Sequence, residues 1–61
     1  MELFNAYQPG TEDVVYQGVV FDDGAVAVRK AVRAGHSSYQ LFLALEPARE
    51  FLQSFDIVWV N

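Results

Sequence analysis

The chain contains no cysteine, so neither a disulfide nor a thiolate–metal site can staple it. It has one histidine, which leaves transition-metal binding poorly supplied, and the oxygen-rich spacing of a calcium loop is absent. Basic residues are scarce, four Lys and Arg against eight Asp and Glu, for a net charge of −4. That balance argues against general nucleic-acid binding, which needs clustered cations to neutralise phosphates. No apolar run approaches the roughly 20 residues that span a bilayer, and Met1-Glu2 lacks the positive start of a secretory signal. A soluble, cytoplasmic protein without membrane contact is the expectation. The four glycines are scattered, so no glycine-rich loop is available to cradle a phosphate. No cofactor is expected.

What is present is apolar surface. Of 61 residues, 52% are hydrophobic, and five Phe, three Tyr and one Trp supply the aromatics. A chain this short buries only about 60% of the surface its unfolded form exposes, so a core without staples is marginal. Such chains often complete their cores against a partner or a copy of themselves, and a homo-oligomer is therefore expected.

The organising stretch is residues 14–33, a β-hairpin about Asp22-Asp23-Gly24. Asp-Gly between β-branched runs is a strong hairpin signal, because Gly accepts a positive φ at no steric cost. Val14, Val15, Val19 and Val20 precede the turn; Val26, Val28 and Val32 follow it. A two-residue Asp23-Gly24 loop sets Phe21 opposite Val26, Val19 opposite Val28 and Val15 opposite Val32. A three-residue Asp22-Asp23-Gly24 loop with a Gly bulge groups Val14, Tyr16, Val20, Val26, Val28 and Val32 instead. The first register separates apolar from mixed faces better and is the one expected.

Residues 1–13 read as an edge strand or an N-terminal arm, with Gln8-Pro9-Gly10-Thr11 forming a type II turn. Residues 38–44 read as a third strand, with Tyr39, Leu41 and Leu43 on one side and Phe42 and Ala44 on the other. Both sides are apolar, and Pro47 decides against a helix running through them. Proline in a helix interior costs about 3 kcal/mol, whereas in the first turn its missing N–H costs nothing. A helix over 45–54 results, with Leu45, Ala48, Phe51 or Leu52, and Phe55 sharing one face. Residues 56–61 form a last strand, apolar throughout and expected to be central or covered on both faces. A crossover helix there would permit a parallel neighbour. The expected fold is α+β: a small, mostly antiparallel sheet with one short helix packed on one face, in the order ββ-β-α-β, as a single domain.

The candidates for chemistry are few. His36-Ser37-Ser38 holds a base and hydroxyls, but neighbours in sequence rarely reach nucleophile–base geometry, and no third group orients them. Asp22 and Asp23 are expected to serve the turn rather than a metal. Arg29, Lys30 and Arg33 gather three of the four basic residues within five positions. Arg29 and Arg33 share a face in either register, where Glu12 and Asp13 could pair with them. Trp59, Phe42, Phe51, Phe55 and Tyr39 are expected in the core. One short helix cannot cover so many aromatics, so Phe4, Tyr7 and Tyr16 are expected at the surface, forming with Arg29 and Arg33 the candidate interaction surface.

Gly18-Val19-Val20-Phe21-Asp22-Asp23-Gly24, Val26-Ala27-Val28-Arg29 and Ile57-Val58-Trp59-Val60-Asn61 together resemble a group of short, largely uncharacterised proteins of actinobacteria and their phages. The resemblance covers roughly residues 15–61. Two positions depart from the pattern: Lys30 stands where an aromatic is common, and a Gly/His-rich loop before the last strand is missing. The resemblance implies a fold and a phage origin, and no activity. With the composition, it leads to the expectation of a non-enzymatic protein-binding module, a phage accessory protein that binds or inhibits a host protein. A structural homo-oligomer is the alternative, and a nucleic-acid binder or acidic nucleic-acid mimic ranks last.

Overall fold

The computed structural model describes residues 1–31 and 39–60. In chain order these form β1 (Glu2–Tyr7), β2 (Val14–Val20), β3 (Val26–Lys30), β4 (Tyr39–Phe42), α1 (Leu45–Phe51) and β5 (Asp56–Val60). The strands make one five-stranded sheet in the order β4-β3-β2-β1-β5, and every neighbouring pair is antiparallel. The fold is the small α+β arrangement expected, with α1 on one face.

Two turns place the first three strands. At Gln8-Pro9-Gly10-Thr11 the Thr11 N–H donates to the Gln8 carbonyl at 3.1 Å, and Gly10 takes φ +78°, as a type II turn requires. At the second turn the Gly24 N–H donates to the Phe21 carbonyl, and the Phe21 N–H to the Ala25 carbonyl. Gly24 takes φ +93° and the Asp23 carboxylate accepts from the Ala25 N–H at 3.0 Å. This is the three-residue loop closed by a Gly bulge. Val20 accordingly pairs with Val26, Gly18 with Val28 and Tyr16 with Lys30, one residue away from the expected register. The carboxylate–backbone bond and the positive φ at Gly24 hold that choice locally. Gly18 pairs with Phe4 of β1: a Cβ there would overlap the ring of Phe4, whose Cε1 lies 2.7 Å from that position, so the missing side chain makes room for the ring in the core row.

The buried side chains sit between the sheet and α1. Phe4 and Ala6 of β1, Val26 and Val28 of β3, and Ala48 and Leu52 at the helix form one cluster, with Tyr16, Val20, Phe42, Leu45, Phe55 and Ile57 packed around it. Pro47 occupies the first turn of α1 and Glu46 lies beside it, favourable for the helix dipole. α1 is shorter than expected, ending at Phe51 with Leu52 as C-cap; a turn follows in which the Phe55 N–H donates to the Leu52 carbonyl at 2.9 Å.

Three expectations change. Residues 2–7 form neither an arm nor an edge strand, because β5 returns beside them and makes β1 interior. β5 in turn is an edge strand, with Val58, Trp59 and Val60 exposed. It pairs antiparallel with β1, not with a parallel neighbour; because β4 and β5 are the two opposite edges of the sheet, α1 and its short links carry the chain across the covered face from one edge to the other.

Candidate functional site: the uncovered sheet face

Alternation along each strand splits the sheet into two faces. The pairings align Phe4, Gly18, Val28 and Gln40 across one face, and Ala6, Tyr16 and Lys30 beside them; this is the face α1 covers. The other face has two parallel rows. The first runs Leu41, Ala27, Val19, Leu3, Val60 across β4, β3, β2, β1 and β5. The second runs Tyr39, Arg29, Gln17, Asn5, Val58 in the same order. Among the described residues, no element packs over either row.

The first row is wholly apolar. Leu41 is 77% exposed, Leu3 48% and Val60 45%, while the small Ala27 is buried between taller neighbours. The second row has apolar ends, Tyr39 and Val58, both exposed, and a polar middle. There the guanidinium of the exposed Arg29 donates to Gln17 Oε1 at 2.8 Å, which directs it across the sheet. Leu3, Asn5, Gln17, Val19, Ala27, Arg29, Tyr39 and Val60 surround one shallow depression. On the covered face only the marginal Phe51 and Trp59 stay exposed among the large apolar side chains of the described elements.

The candidate surface residues are not brought together as expected. Phe4 is the largest buried side chain, 2% exposed, under α1 and edge-to-face with Trp59 at 5.3 Å. Its place in an interior strand explains this. Tyr16 lies on the covered face, its ring edge-on to Phe51 at 5.4 Å and to Phe55 at 5.5 Å. The one-residue register change separates it from Arg29, which sits on the open face opposite Gln17. Tyr7 is half-buried and borders a second depression with Thr11, Glu12, Asp56 and Val58, at the far end of the open face. Arg33 lies outside the described residues, as does His36-Ser37-Ser38.

Tyr39, expected in the core, is 61% exposed on the open face. The residues missed as a surface are Leu3, Leu41, Val58 and Val60. For Val58 and Val60 the signal is the unbroken apolar run of β5, which reads equally as a central or covered strand; for Leu41 it is the apolar character of both sides of β4; Leu3 has no comparable signal.

The carboxylates of the hairpin turn are engaged in local structure. Asp23 caps Ala25, as above, and Asp22 pairs with the Met1 ammonium at 2.7 Å. The hydrogen bond from that ammonium, and then its charge, hold the Asp22 carboxyl below its usual range. Among the described residues, no group of three or more His, Cys, Asp or Glu side chains is placed to hold a metal ion, and no helix is long and apolar enough to cross a membrane.

No family model matches the chain, and comparisons with curated proteins and with solved structures found no match.

Proposed function

We propose that the chain is a non-enzymatic protein-binding module and that the uncovered face of its sheet is the surface that docks a protein. One observation carries this reading: Leu3, Leu41 and Val60 stand exposed in a single row with Val19 and Ala27, and among the described residues no element covers them. Contiguous apolar surface of this kind marks interaction sites, because leaving it in water forgoes about 25 cal/mol per Å². The adjacent Asn5, Gln17 and Arg29 supply the hydrogen-bonding margin that a specific contact needs. The resemblance to actinobacterial and phage proteins makes a cytoplasmic host protein one partner class to test.

The test is a nuclease-treated pull-down with the tagged full chain, comparing wild type with Leu41→Lys, Val60→Glu and Gln40→Lys. Gln40 is exposed on the covered face and serves as the control. The reading expects protein captured by wild type and Gln40→Lys, and lost with the two open-face variants. Capture insensitive to Leu41→Lys and Val60→Glu, or turnover of a substrate by the purified chain, overturns it.

A further inference from the structure

Resting on the reading that the open face docks a protein, we infer that its occupant is a second copy of this chain, packed sheet against sheet about a two-fold axis parallel to the strands and passing over β2. The inference comes from the order of side chains along the two rows. Such an axis reverses the strand order of the facing sheet and keeps each row over itself. β4 then lies over β5 of the other copy, β3 over β1, and β2 over β2.

Reversing the first row sets Leu41 against Val60, Ala27 against Leu3, and Val19 against its own counterpart. The buried Ala27 leaves a notch where the facing leucine arrives, the large-against-small alternation that interdigitating sheets require. Reversing the second row sets Tyr39 against Val58, Arg29 against Asn5, and Gln17 against Gln17. Every apolar position meets an apolar one and every polar position a polar one. The side-chain carbonyl of Asn5 can accept from the guanidinium, which keeps donors to spare beyond its bond to Gln17. An isologous interface needs this kind of self-complementarity, and a random arrangement of ten side chains would not be expected to provide it. A row with charge at one end and an apolar side chain at the other would have excluded the axis.

Area and charge agree with the assignment. With strands about 4.8 Å apart and a rise of about 3.3 Å per residue, the face measures roughly 400 Å² in projection. Two such faces bury on the order of 1,000 Å² of accessible surface, at the lower limit for a specific interface. The two rows carry one charged side chain, Arg29, so the acidic excess of the chain (net charge −4) lies outside the contact. Aligned sheets cross at about −30°, so the match is tightest near Val19 on the axis and looser towards Leu41 and Val60.

The experiment is sedimentation of the full chain across micromolar concentrations, with Leu41→Lys, Val60→Glu, their equimolar mixture, and Gln40→Lys. Wild type and Gln40→Lys should sediment at twice the 6.9 kDa chain mass. Leu41→Lys and Val60→Glu should each weaken association at least tenfold. The mixture should re-form a dimer, because the two-fold places the new cation of one chain against the new anion of the other. A monomeric wild type whose pull-down partner is still lost in the open-face variants overturns the second copy and leaves the docking reading standing. A dimer that persists in Leu41→Lys overturns the face-to-face contact, and edge pairing through β5 would then account for it. Single variants that dissociate with a mixture that fails to rejoin overturn the two-fold register. Circular dichroism of each variant checks that the monomer remains folded, which the high exposure of Leu41 favours.

Discussion

The two faces of the sheet are built from alternate residues of the same strands, and both are rich in apolar side chains. Phe4, Val26 and Val28 lie on one and are sealed by Ala48 and Leu52. Leu3, Leu41 and Val60 lie on the other and remain in solvent. The difference is a single short helix. Seven residues of α1 span about 10 Å, enough to shield the middle of one face and nothing of the other. Among the described residues, two of the six buried residues in the core cluster, Ala6 and Ala48, are alanines, so the core under α1 is thin as well. Coverage, not composition, separates the faces, and the uncovered one is where association can still bury apolar area.

The comparison breaks most severely on the covered side. Phe4→Ala empties the centre of the core and should cost about 4 kcal/mol, enough to abolish cooperative unfolding in a urea titration of so small a domain. Gly18→Ala drives a methyl into the Phe4 ring and should cost about 2–3 kcal/mol. Combining it with Phe4→Leu, which withdraws the ring, should cost less than the sum of the two single changes, a non-additivity a double-mutant cycle reads directly. Next comes the hairpin turn: Gly24→Ala forces a side chain into φ +93° and should lower stability by about 1 kcal/mol.

On the open side, Leu41→Gln should change the unfolding free energy of the dilute monomer by no more than about 0.5 kcal/mol, while altering association. Smallest of all is the Asp22 contact with the Met1 ammonium. Because the Asp22 pKa is lowered, the pair contributes above the ordinary carboxylate range and fades as pH falls through the lowered value. Both groups are fully exposed, and salt screens such pairs. Asp22→Asn should therefore leave the melting temperature unmoved at physiological ionic strength.

Much of the fold was legible because its signals are local. Pro9-Gly10 and Asp23-Gly24 mark turns whose conformations the glycines observe, and Pro47 correctly places the start of α1. The alternation of Phe42 against Tyr39 and Leu41 assigned β4 its faces. What was not legible depends on partners distant in the chain. Two hairpin registers fit the same Asp-Asp-Gly, and the gap at Gly18 is filled by the ring of Phe4, fourteen positions earlier, through the β1–β2 pairing, which the hairpin turn does not encode. Phe4 read as a surface residue because it lies near the start of the chain. It is buried because β5 returns from the far end to enclose β1. The same return leaves Val58 and Val60 at an edge and on the open face, although their run of apolar residues resembles a buried strand. The candidate site failed in the same way: Tyr16 and Arg29 share a face in one register and are divided in the other. Apolar character on both sides of a strand shows that both faces gain from cover, but not that among the described residues only one of them is covered.

The most direct measurement is a dilution series followed by methyl NMR of the full chain. The methyl signals of Leu3, Val19, Leu41 and Val60 should move together with concentration, while those of Val26, Val28 and Leu52 stay in place. Stationary open-face methyls at every concentration, or shifts confined to the β5 edge, would contradict the claim that the uncovered face is where this protein meets a second copy.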